Sequence, residues 1–107
     1  MNKRNLYLAA LPLAMLALSA TAADQTVSQK GKTFFPAKVS VKLGEHVTFV
    51  NDDPFAHNVF SLSDTKSFDL GSYGKGQGKS VQMDKPGLVE VECAVHPDMK
   101  MMIEVRK

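Results

Sequence analysis

One cysteine, Cys93, is all that this 107-residue sequence contains. A single thiol cannot form an intramolecular disulfide, so the bridged scaffold that stabilises many small exported domains is excluded. Heme attachment of the common kind needs Cys-x-x-Cys-His and is excluded with it. Long apolar runs are equally scarce. Residues 6–18 form the one extended run, too short for a comfortable transmembrane helix, and none of spanning length follows. Excess charge is missing too. Lys3 and Arg4 account for the whole formal net charge of +2, and the remaining acids and bases balance and interleave. No electrostatic footprint for nucleic acid or an anionic membrane results. Gly78-Lys79-Ser80 resembles the end of a phosphate-binding loop, but Tyr73 stands where that motif needs its first glycine.

The first apolar run has a context of its own. Asn2-Lys3-Arg4 makes a positive start, and Ala20-Thr21-Ala22 supplies small residues at a cleavage position. These features predict a Sec-type signal peptide over residues 1–22, with cleavage after Ala23 as the alternative. No cysteine lies near that point, so lipid anchoring is excluded. The expected product is one periplasmic domain over residues 23–107, with no membrane span after processing.

No long helical period follows. Val39, Val41 and Leu43 alternate with Lys38, Ser40 and Lys42, the pattern of a half-buried strand. Gly44-Glu45 turns the chain into residues 46–50, rich in β-branched and aromatic side chains. Asn51-Asp52-Asp53-Pro54 ends that strand with turn formers, and residues 57–62 begin another. Residues 63–68 read as a helical turn and residues 71–78, rich in glycine, as a surface loop. Residues 80–83 and 101–105 are further strand candidates. The clearest alternation is Leu88-Val89-Glu90-Val91-Glu92-Cys93, in which Val89, Val91 and Cys93 share the face that must be buried. The fold class is therefore all-β, a small Greek-key sandwich or barrel of about six to eight strands.

Cys93 is followed by His96 three places on and Met99 three places beyond. Singly, each has an ordinary explanation: a buried strand-end filler, a loop histidine, a core methionine. With 3 His and 6 Met in 107 residues, that double coincidence arises by chance about once in 600. Thiolate, imidazole and thioether form a soft-metal donor set, and His57 upstream completes two His and one Cys with a weak axial Met, the blue-copper pattern. Zinc is the competing metal, although structural zinc sites favour four Cys/His ligands and do not use thioether.

Cys93-x-x-His96-Pro97-x-Met99, with His57-Asn58-Val59 and Gly44-x-x-Val47-x-Phe49-x-Asn51 before it, resembles the cupredoxins. Within them it is similar to the amicyanin, pseudoazurin and plastocyanin group, and its ligand spacing is most like amicyanin. The resemblance implies one copper ion per chain, bound by His57, Cys93, His96 and Met99, the histidines through Nδ1. It gives Asn58 a supporting role, with its backbone N–H donating to the Cys93 sulfur, and leaves His46 to solvent. The chain is short at its N-terminal end for this family, so an edge strand there is expected to be short or missing. The function implied is one-electron transfer by a monomer that is not an enzyme. A dehydrogenase donor and a c-type cytochrome acceptor would dock near His96, on apolar residues Pro54, Phe55, Ala56, Ala94, Val95 and Pro97. A copper carrier or chaperone, with Met101 and Met102 assisting, is the alternative; a metal-free scaffold domain is a third.

Overall fold

The structure, a computed structural model, describes residues 24–107. The expected signal peptide, residues 1–22, lies outside the described residues. Nine strands form two sheets, and no helix occurs among the described residues. The four-stranded sheet runs in the order β2 (Phe34–Phe35), β1 (Gln25–Gln29), β4 (His46–Asn51), β7 (Gly78–Gln82). The five-stranded sheet runs β3 (Lys38–Lys42), β9 (Lys100–Arg106), β8 (Gly87–Glu92), β5 (His57–Leu62), β6 (Ser67–Tyr73). β1 lies parallel to β4 and β3 parallel to β9; the other pairings are antiparallel. The chain crosses between sheets from β2 to β3, β3 to β4, β4 to β5, β6 to β7 and β7 to β8, which makes an all-β sandwich.

Alternation in sequence becomes alternation in burial. Val39 and Val41 of β3, Val47 and Phe49 of β4, and Val89 and Val91 of β8 all face the space between the sheets. Ile103 and Val105 of β9 join them with Val27 and Phe34 from the opposite sheet. Phe49 sits at the centre, its ring edge-on to Phe34 at 6.2 Å and tilted against Phe68 at 6.3 Å. Each such side chain contributes about 1.5–3 kcal/mol by leaving water. One polar chain runs through this core: the Tyr73 hydroxyl donates to Phe49 O at 2.8 Å and lies 3.1 Å from the Gln29 side-chain amide.

Two local expectations give way. Residues 63–68 are not a helical turn, since β6 already begins at Ser67. The glycine-rich loop shrinks to residues 74–77, because Gly71 to Tyr73 complete β6. The reason is a bulge. Asn58 pairs with Ser72 and Phe60 with Asp69, so two residues of β6, Leu70 and Gly71, oppose one of β5. Gly71 takes the left-handed φ of 78° that such an insertion needs. The N-terminal strand is present as β1, paired with β4 along its whole length, and the short edge is the two-residue β2.

Candidate metal centre

The residues flagged by their spacing gather where the β4–β5 and β8–β9 loops meet. His57 opens β5 in phase with Val59 and Ser61, so strand periodicity turns it inward, and it is fully buried. The loop that delivers it is fixed by Asn51, whose Nδ2 donates to Phe55 O and Tyr73 O, both at 2.9 Å. Asn51 Oδ1 accepts the Asp53 N–H at 2.8 Å. Cys93 follows β8 in phase with Val89 and Val91 and is 1% exposed. Two backbone hydrogen bonds close the loop after it, Met99 N–H to His96 O at 2.8 Å and Cys93 N–H to Met99 O at 3.3 Å. The Asn58 side chain clamps the two loops together: its Oδ1 accepts Ala94 N–H at 2.8 Å and lies 3.7 Å from Cys93 Sγ.

Three ligand-type atoms converge as a result. His57 Nδ1 and His96 Nδ1 are 3.1 Å apart, and Cys93 Sγ is 3.8 Å from each. The centre of a triangle with those sides lies about 2.1 Å from every corner, within the roughly 2.0–2.3 Å that imidazole nitrogen and thiolate keep from a bound transition metal. The trigonal two-His, one-Cys set is the equatorial arrangement of a blue-copper centre. Met99, 1% exposed, is buried on the same short loop. His96 is half-buried, its ring 5.5 Å from that of Phe55. Pro54, Phe55, Ala56, Ala94, Val95 and Pro97, on the same two loops, are all exposed.

Other residues weighed from the sequence stand apart. His46 lies on the opposite side of β4 from the core, its N–H donating to Asp24 Oδ1 at 2.9 Å, and it is no member of the cluster. Met101 is in the core and Met102 half-exposed on the other face of β9, so they do not share one metal.

One residue of the cluster escaped sequence reasoning altogether. Asp53, 4% exposed, brings Oδ2 to 2.6 Å from His57 Nε2, on the ring edge away from Cys93. Its carboxylate also accepts N–H groups from Gly31 at 2.7 Å and Lys32 at 3.1 Å. Burial acts to raise its pKa, but hydrogen bonds from His57, Lys32 and Gly31 outweigh burial and lower it from 3.8 to about 2. The only trace in the sequence is an acid four residues before the histidine, inside a stretch whose turn-forming chemistry already explains it.

Comparison with known proteins agrees with this geometry. Residues 21–106 match the family of copper binding proteins, plastocyanin/azurin family. A chloroplastic plastocyanin of Physcomitrium patens is 35% identical over 102 residues, 83% of this chain, which spans 60% of that protein's length. Plastocyanin of Ulva arasakii is 32% identical over 84 residues, covering 68% of this chain and 86% of the alga's. Among solved structures, the copper-containing nitrite reductase of Thermus scotoductus superposes with a TM-score of 0.74 at 27% identity, over 91% of this chain but 25% of the reductase. A Cu(I) amicyanin variant superposes at 0.71 with 21% identity, over 76% of this chain and 80% of its own, which speaks for the fold alone. No helix among the described residues is long and apolar enough to cross a membrane. The two-sheet sandwich, the two-His, one-Cys triangle and the match over residues 21–106 lead to one conclusion: the chain belongs to the plastocyanin/azurin family of copper-binding cupredoxins.

Proposed function

We propose that this protein is an exported type 1 copper protein that carries single electrons between redox partners in the periplasm. The ligands in this reading are His57, Cys93, His96 and Met99, with residues 1–22 removed as a signal peptide. The observation that carries it is the triangle of two imidazole nitrogens and one cysteine sulfur, whose centre suits a transition metal. Copper bound there supplies a one-electron change between Cu(I) and Cu(II).

The chain's own residues do the rest. Cys93 binds as thiolate, since a coordinated metal deprotonates the thiol. The buried strand positions of His57 and Cys93 and the hydrogen bonds of Asn51 and Asn58 hold the donors still. A change of charge is then met with little rearrangement, and little rearrangement means a low barrier to electron exchange. His96 is the ligand nearest solvent and the natural point of passage. The exposed apolar residues around it, Phe55 and Val95 above all, suit a small transient interface of the kind used in redox encounters, below about 1,200 Å² in total. A dehydrogenase as donor and a c-type cytochrome as acceptor are the partners this reading favours.

Adding Cu(II) to the purified domain tests the proposal. Intense visible thiolate-to-copper absorption that bleaches on reduction and returns on oxidation is expected, and Cys93→Ser should abolish it. Colourless binding of Cu(I) alone would replace electron transfer with copper delivery, and absence of binding would overturn both.

A further inference from the structure

The acid beside the cluster is held more firmly than any turn requires. Both oxygens of Asp53 are engaged, Oδ1 by Gly31 N–H at 2.7 Å and Oδ2 by Lys32 N–H at 3.1 Å and by His57 Nε2 at 2.6 Å. Gly31 and Lys32 form the turn between β1 and β2, with φ of 64° and 58°. Both N–H groups of this turn point at the Asp53 carboxylate, and consecutive backbone N–H groups in a turn make a concavity for an anion. Lys32 carries a side chain in a region that is unfavourable for all but glycine and a few polar residues, and such conformations persist where surrounding structure demands them. Here its N–H is committed to the Asp53 carboxylate.

An ionised carboxylate only accepts hydrogen bonds, so the proton in the 2.6 Å contact sits on His57 Nε2. A neutral imidazole protonated at Nε2 keeps its lone pair on Nδ1, the nitrogen that faces Cys93 and His96. We propose that Asp53, cradled by the Gly31-Lys32 turn, is a positioning residue for the metal: it fixes the tautomer and angle of His57 and, through a charged rather than neutral acceptor, makes Nδ1 a stronger donor. This rests on the copper reading above. Stronger donation favours Cu(II) over Cu(I), so Asp53 holds the reduction potential below the value the same ligands would have with a neutral acceptor. The β1–β2 turn thereby contributes to the electronic properties of a site to which it supplies no ligand.

Two measurements test this. In the metal-free wild-type protein, ¹⁵N shifts of labelled histidines should show His57 protonated at Nε2 and bare at Nδ1; the opposite tautomer overturns the proposal. In the copper-loaded protein, Asp53→Asn should raise the reduction potential and the ratio of Cu(I) to Cu(II) affinity by roughly 10-fold, and Asp53→Glu, which restores the charge, should recover part of the shift. An unchanged potential in Asp53→Asn would reduce Asp53 to a structural brace and overturn the idea. If that variant fails to fold, the wild-type tautomer decides. Wild-type protein that takes up Cu(II) without thiolate absorption would sink the copper reading separately, and the metal-free measurement does not depend on it.

Discussion

Asn58 and Asp53 show how much of the site depends on side chains that donate nothing to a metal. The family resemblance implies a backbone role for Asn58, but its side chain also binds, accepting Ala94 N–H at 2.8 Å and so tying the start of β5 to the ligand loop. Asn58→Ala removes that tie while leaving both sheets intact; copper affinity should fall by about 10–100-fold in a competition titration, as is usual when a support of a ligand is lost. Asp53 has a pH signature as well. Its carboxyl titrates at about 2 in the folded protein against an ordinary 3.8. On acidification the unfolded chain takes up this proton first, so the stabilisation is complete above about pH 4 and is lost as pH falls towards 2. Metal-free wild type and Asp53→Asn should therefore differ in stability at pH 5 and draw together as pH falls through 2, measured by denaturant melts across that range. The four candidate ligands were legible because three of them lie within seven residues and the fourth opens a strand of clear alternation. Asp53 was not, because its meaning depends on a turn more than twenty residues upstream whose N–H groups reach it only after folding.

The strands divide along similar lines. β3, β4, β5, β8 and β9 alternate cleanly and could be placed from sequence. β6 could not, since its bulge at Leu70 and Gly71 shifts the phase and brings Phe68, Leu70 and Tyr73 to the inner side although they break a strict period of two. β2 is only two residues long, too short to show any period. The energetic weight lies with the alternating strands. Phe49 of β4 is fully buried between Phe34 and Phe68. Phe49→Ala should cost about 3–5 kcal/mol, since the cavity adds to the lost transfer energy. Leu62, at the end of β5 and 75% exposed, should change stability by less than about 0.5 kcal/mol on the same substitution. Equilibrium urea unfolding of the two variants, with unchanged slopes, would check the contrast.

At the scale of the molecule, the site fastens the two sheets to each other. Cys93, His96 and Met99 belong to the β8–β9 connection and His57 to β5, all in the five-stranded sheet. Asp53 reaches back from the crossing between sheets to the β1–β2 turn of the four-stranded one. The cluster exists only when these segments are in place, so copper binds the folded form and draws the equilibrium towards it. At a free concentration a thousand times the dissociation constant, the gain is about 4 kcal/mol. In a domain of this size each kcal/mol raises the melting temperature by about 4–8 °C. Copper should therefore lift the melting temperature by on the order of 15–30 °C, read by calorimetry or circular dichroism at matched protein concentration. Two variants show whether the lift comes from this cluster. Cys93→Ser removes the sulfur corner of the triangle and should lose nearly all of it. His46→Gln alters a partly exposed histidine beside Asp24, outside the cluster, and should keep it in full. Equal lifts in both variants would mean that copper stabilises the fold from somewhere other than the meeting point of these loops.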